Sequence, residues 1–192
     1  MARRKKLFLL IGIVLIVGLF TGHNIVKNRT TAAKSPAKST IMRTPINWRK
    51  SSEKVAYPNV THDPNLWIRV SLKKQHLYLI NHQHVLYTMY VSTGLPTANH
   101  HTPRGTYHVQ AERGKYFYSA AVNEGAYYWV SWLNHGEYLF HSTPVNAQGH
   151  FIKSDAADLG KKPSSHGCVH LSLADSKWLY QHIHYGTKVV IE

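Results

Sequence analysis

The stretch Ser164-Ser165-His166-Gly167-Cys168-Val169-His170-Leu171-Ser172 contains the only cysteine of a 192-residue chain. A thiol with one histidine two residues before it and another two residues after has the ingredients of an activated nucleophile. Thiolate attacks carbonyl carbon, and nearby imidazoles or exposed amide N–H groups lower a cysteine pKa. A lone cysteine is otherwise a small buried hydrophobe, so the rest of the chain has to decide between the two readings. Immediately downstream, Ser172-Leu173-Ala174-Asp175 reads as a Ser-x-x-Asp capping box that opens a helix to about Ile183. The cysteine therefore sits on a strand-to-loop-to-helix junction, where a side chain is exposed on a stiff support.

Upstream, the chain reads as short strands with turns between them. Trp67–Ser71 and His76–Ile80 are β-branched and aromatic runs; Asn81–His84 is a turn and Val85–Ser92 the returning strand. Further strands are expected at Thr106–Gln110, Tyr127–Trp132, Tyr138–His141 and Lys188–Ile191. Thr93-Gly94-Leu95-Pro96 and Thr102-Pro103-Arg104-Gly105 mark loops. Ser154–Gly160 has an N-capping serine and a terminal glycine, enough for a helical turn or two. Closely spaced short strands argue for a mainly β sandwich or barrel. Of the aromatic residues between Tyr116 and Trp132, some line a groove or, as is commoner, all alternate between core and surface.

A nucleophilic cysteine needs a base. His166 is near in sequence, but residues two apart on a strand point the same way without necessarily touching. His141, at the end of a strand and followed by Ser142, has a fixed ring and an exposed edge; residue type alone does not single it out among 15 histidines.

Ser165-His166-Gly167-Cys168, preceded by Phe140-His141-Ser142, Ser92-Thr93-Gly94 and Thr102-Pro103-x-Gly105, resembles the YkuD-type L,D-transpeptidase domain over Asn65–Glu192. The resemblance implies a β-sandwich with a short helix between the histidine and the cysteine, and a second helix after the cysteine. It implies peptidoglycan cross-linking, with Cys168 as nucleophile and His141 as proton donor and acceptor. The Ser142 carbonyl would orient His141, and the backbone N–H groups of His166, Gly167 and Cys168 would form the oxyanion hole. No metal or cofactor is implied. Two departures stand out. The 27 positions from His141 to Cys168 exceed the compact family pattern, which keeps His150 open as the alternative base and makes 142–164 an insertion whose Ser154–Gly160 helix is read as a lid or groove wall. The position two after the cysteine is His170 rather than Arg or Asn; on a substrate-facing position its charge would weaken binding above about pH 6.5.

The net charge of +14 is unevenly placed. Residues 1–54 carry 12 basic residues against Glu53 alone, whereas 55–192 carry 11 against 8 acidic ones, so the folded part has no basic face for a nucleic acid. Arg3-Arg4-Lys5-Lys6 before the apolar run 7–20 reads as an export signal, favoured as an uncleaved membrane anchor over a cleaved signal peptide. The resulting division is 1–22 anchor, 23–64 basic flexible tether and 65–192 catalytic domain, outside the cytoplasmic membrane. The tether's charge suits anionic wall polymers or serves only to keep a spacer soluble. The expected partners are peptidoglycan stem peptides and the membrane, not nucleic acid. The same stems would serve an L,D-carboxypeptidase, in which water replaces the acceptor amine. A sortase needs an Arg after the cysteine, and none follows Cys168. A zinc site built from His82/His84, His100/His101, His182/His184 or His166-x-Cys168-x-His170 matches no tetrahedral spacing, and a wall-binding module without catalysis is the remaining alternative.

Overall fold

The computed structural model describes residues 41–192, residue 62 excepted. Strand β1 (Leu66–Ser71) alternates buried Leu66, Ile68 and Val70 with half-exposed Trp67, Arg69 and Ser71, the period-2 signature of a strand with one face on a core. It pairs antiparallel with β2 (His76–Asn81), which turns through His82 at φ 50° into β3 (His84–Ser92). Most of β3 pairs with β2, but Val91 and Ser92 leave it for a second group of strands. That group holds β5 (Arg113–Ser119), β6 (Glu124–Leu133), β7 (Tyr138–Ser142) and the short β8 (Val169–Leu171). On the far side of β1, β9 (Lys188–Ile191) runs parallel to it and carries β4 (Gly105–His108) on its outer edge.

The strand order is β4-β9-β1-β2-β3-β8-β7-β6-β5. The expected sandwich is thus one sheet curled on itself, with β3 as the shared strand. Ile68, Leu79 and Met89 from one half meet Val130, Trp132, Phe140 and Val169 from the other in a single buried cluster; each such side chain contributes about 1.5–3 kcal/mol. Two helices complete the described chain, α1 (Lys153–Asp158) and α2 (Leu173–His182), the latter lying on β6 and β7 through Trp178 and Leu179. Ser172 caps α2 as expected, accepting from the Asp175 amide at 3.1 Å. At α1 the cap differs from expectation: Ile152 occupies the N-cap position without a side-chain hydrogen bond, and Ser154 lies inside the first turn. Gly160 does follow the helix with a left-handed φ of 72°.

The tether reading does not extend to residues 41–61. Ser52 and Glu53 are buried, as is Val60. The Ser52 hydroxyl donates to Asp175 Oδ2 at 2.6 Å and the Tyr57 hydroxyl to Asp175 Oδ1 at 2.7 Å. The Thr88 amide donates to Glu53 Oε1 at 2.8 Å, and Leu173 N–H donates to the Trp48 carbonyl at 2.8 Å. This strap is held by buried polar contacts together with Val60 and Tyr57 packed on the core, groups spaced without an apolar period, so hydropathy alone misses it. The apolar run 7–20 and the chain to residue 40 lie outside the described residues; among those described, no helix is long and apolar enough to cross a membrane.

Candidate active site

Strands β7 and β8 are parallel neighbours in which His141 faces His170 and Phe140 faces Val169. Phe140 and Val169 point into the core, so the two histidines emerge together on the opposite face, ring centroids 4.9 Å apart. Cys168 lies two residues before His170 on that same face. All three line one cavity of about 340 Å³, together with His166, Pro144 and Leu139. The β5–β6 hairpin supplies another wall through Phe117, Val122, Glu124 and Trp129.

The loop carrying Cys168 is stapled from behind. Ser164 and Ser165 N–H both donate to the Thr93 carbonyl, at 2.9 and 3.0 Å. Thr102 Oγ1 accepts from the Gly94 amide at 2.7 Å and donates to the Gly167 carbonyl at 2.9 Å. The two Gly loops of the sequence are therefore the support of the cysteine loop. Gly94 is required by space: a Cβ there would sit 2.1 Å from the His100 carbonyl oxygen. Gly167 is required by conformation, with φ 123°.

His141 is 4% exposed, and its Nδ1 lies 2.7 Å from the Ser142 carbonyl oxygen. A carbonyl only accepts, so Nδ1 carries the hydrogen and Nε2 is left with a lone pair. Burial lowers the His141 pKa to about 4 against the raising effect of that hydrogen bond, and the ring is neutral. Burial pushes the Cys168 thiol up to about 12, with the Glu124 and Glu137 carboxylates adding to the rise and the Leu139 amide, 3.3 Å from the sulfur, opposing it. The resting pair is a neutral thiol beside a neutral imidazole, not a thiolate–imidazolium pair.

Four expectations need revision. His170 is buried and its pKa is held well below the ordinary imidazole value, first by burial and then by His141 and His166. Its ring is neutral, so binding does not track a titration near pH 6.5 through this residue. The Gly167 amide donates to Ser165 Oγ at 3.1 Å, while the His166 and Cys168 amides donate to no protein acceptor among the described residues. Two of the three named amides have no partner among the described residues, and the third is engaged. Of the 142–164 insertion only Pro144 lines the cavity; Ala156 and Leu159 are buried against the body, so the segment is a flank rather than a lid. The alternative base His150 is exposed on the turn after Asn146 and does not reach the cavity.

Sequence reasoning missed Glu124 and Glu137 as cavity residues; both stand in hairpin regions whose pairing no local pattern announces. It named Phe117 and Trp129 only within an undivided aromatic group; these two line the cavity, whereas Trp132 belongs to the core. His166 turns its ring toward Glu124, with Nδ1 3.7 Å from the carboxylate. Among the described residues no group of three or more His, Cys, Asp or Glu is placed to hold a metal ion.

Comparison with known proteins bears on this geometry. The L,D-transpeptidase (YkuD) catalytic domain matches residues 65–191. YciB of Bacillus subtilis (strain 168), provisionally named an L,D-transpeptidase, is 41% identical over 150 residues, covering 78% of this chain and 76% of YciB. The L,D-transpeptidase LdtMt1 in complex with imipenem superposes with a TM-score of 0.55 at 20% identity, covering 67% of this chain. An L,D-transpeptidase from Stackebrandtia nassauensis gives 0.51 at 22% identity, covering 72%. The chain spans 59% and 58% of the lengths of those two solved chains, and the likeness to them is one of fold. With a family match over the whole of the sheet and a relative of this identity, the chain belongs to the YkuD family of L,D-transpeptidase catalytic domains.

Proposed function

We propose that this protein is a peptidoglycan L,D-transpeptidase that forms 3→3 cross-links by acyl transfer through Cys168. The observation that carries the reading is the cavity in which the sole cysteine shares a face with His141, whose tautomer is set by the Ser142 carbonyl.

Cys168 Sγ attacks the carbonyl carbon of the third residue of a donor stem tetrapeptide while its proton passes to His141 Nε2. The developing oxyanion takes the free amides of His166 and Cys168; a donor of this kind supports acyl transfer by about 3–4 kcal/mol. Collapse breaks the bond to the terminal D-Ala, whose nitrogen takes the proton from His141, leaving a thioester on Cys168. The acceptor's side-chain amine then gives its proton to His141 and attacks the thioester. The new amide forms as the C–S bond breaks, and Sγ recovers the proton. Neutral partners suit this cycle, because His141 must accept a proton in each acylation step and release one in each collapse. His170, buried and neutral with an unpartnered Nδ1, is a hydrogen-bonding group toward the substrate rather than a cation. The setting is the outer face of the cytoplasmic membrane, with 7–20 as the anchor and the basic residues after it facing anionic lipid or wall polymer.

The test is release of D-Ala from a disaccharide-tetrapeptide by the full-length protein. Release that disappears in Cys168→Ala and His141→Ala, both still folded, is the expected result. Undiminished release in Cys168→Ala would remove the thiol from the mechanism.

A further inference from the structure

Among the described residues the cavity in front of Cys168 is lined by two acidic residues, Glu124 and Glu137, and by no lysine or arginine. Glu124 opens β6 and is half-buried; among the described residues its one ion-pair contact is the loose 3.7 Å approach of His166 Nδ1. Glu137 accepts from Asn134 Nδ2 at 2.8 Å. Asp155, in the first turn of α1, adds to the negative field at Glu124. The cavity also holds His141 and His170, both uncharged, and His170 is 2% exposed with an Nδ1 that no group among the described residues satisfies. A buried nitrogen without a partner and a half-buried carboxylate in one largely apolar cavity give a ligand two polar groups to pair with.

The covalent chemistry says which part of the substrate occupies that space. The bond Cys168 forms is to the carbonyl of the donor's third residue, so that residue's own side chain branches from the Cα next to the thioester carbon. We infer that this cavity selects a donor whose third side chain ends in an ammonium group with no carboxylate beside it, and that Glu124 is the residue that recognises that ammonium. This specificity rests on the thioester reading proposed above. Lysine fits it, as does diaminopimelate with its side-chain carboxyl amidated. Diaminopimelate with that carboxyl free brings a negative group toward Glu124 and Glu137 where, among the described residues, no lysine or arginine lines the wall, and like charges brought together at a partly desolvated site discriminate strongly. The arriving ammonium has a second effect. It offsets the carboxylate field that adds to burial in keeping the thiol protonated, so the correct donor eases the proton transfer to His141.

The experiment uses the full-length protein and four tetrapeptides that differ only at the third residue: lysine, Nε-acetyl-lysine, diaminopimelate and amidated diaminopimelate. The readout is kcat/KM for D-Ala release. Lysine and the amidated residue should exceed the other two by about tenfold or more, the scale of one charge-assisted hydrogen bond. In Glu124→Gln the advantage of lysine over acetyl-lysine should shrink to about twofold, and Glu124→Asp should restore part of it. Equal rates for lysine and acetyl-lysine in the wild-type protein would overturn the inference, and that comparison decides the matter even where a variant fails to fold. A full lysine preference retained in folded Glu124→Gln would overturn the role of Glu124. D-Ala released from none of the four by folded protein would overturn the acyl-transfer reading itself, a result distinct from release without preference.

Discussion

If Cys168 rests as a neutral thiol, its alkylation should be slow and should climb steadily with pH. A thiol held near 12 is ionised to roughly one part in 10⁵ at pH 7, against about 3% for an ordinary cysteine. The higher-pKa thiolate is the stronger nucleophile and recovers about 30-fold through a Brønsted slope of roughly 0.4–0.5. The remaining deficit is about 100-fold relative to an unstructured cysteine peptide at pH 7. The assay follows iodoacetamide adduct formation on the full-length protein by intact mass from pH 6 to pH 10, with the peptide as reference. The account expects a rate that rises in proportion to hydroxide across the range with no plateau. Glu124→Gln and Glu137→Gln should each raise the rate, because each removes a negative charge that opposes ionisation. A plateau that begins near neutral pH, with alkylation faster than the peptide, would show a depressed thiol pKa and an ion pair with His141. That result would refute the neutral-pair mechanism.

Two further substitutions probe the supports of the site. Gly94→Ala should leave a folded protein but lower kcat/KM for D-Ala release by about 100-fold, the scale of a misplaced catalytic group. The added Cβ would meet the His100 carbonyl oxygen at 2.1 Å and the Thr102 nitrogen at 2.6 Å, shifting the loop that staples Cys168; wild-type activity would contradict that support. Ser52→Ala removes a 2.6 Å donor from the buried Asp175 carboxylate and should cost about 1–3 kcal/mol, seen as a melting temperature lowered by several degrees. Burial raises the Asp175 pKa against the lowering effect of its donors. The unfavourable charge is therefore present above the folded-state pKa and is relieved as pH falls through it. The loss from Ser52→Ala should be largest above the folded-state pKa and shrink as pH falls through it, and a loss that grows as pH falls would contradict a charged Asp175.

Much of this site is legible in the sequence because its parts are local. The cysteine loop, the capped helix after it and the His141-Ser142 strand end are each read within a few residues, and β9 falls at the expected positions. Non-local parts are harder. Strand β5 is an exposed edge whose residues Arg113–Ser119 show no clean alternation, so nothing in their pattern marks a strand. Strand β8 is only three residues long, too short for a period, yet it aligns His170 with His141. The neutrality of His170 follows from burial on both sides of that pairing, which residue type does not convey. Residues 41–61 read as tether because they lack an apolar period; what orders them is Ser52, Glu53 and Tyr57 bonded to partners more than 30 residues away, with Tyr57 and Val60 packed on the core.

The central claim is that Cys168 transfers an acyl group from one stem to the amine of another. The most direct measurement is tandem mass spectrometry of the muropeptides made when the full-length protein is given disaccharide-tetrapeptide alone. The account predicts loss of D-Ala together with a dimer whose fragments place the new amide between the two third residues, and neither product with Cys168→Ala. Intact tetrapeptide after incubation with folded wild-type protein, or tripeptide monomer with no dimer, would contradict it.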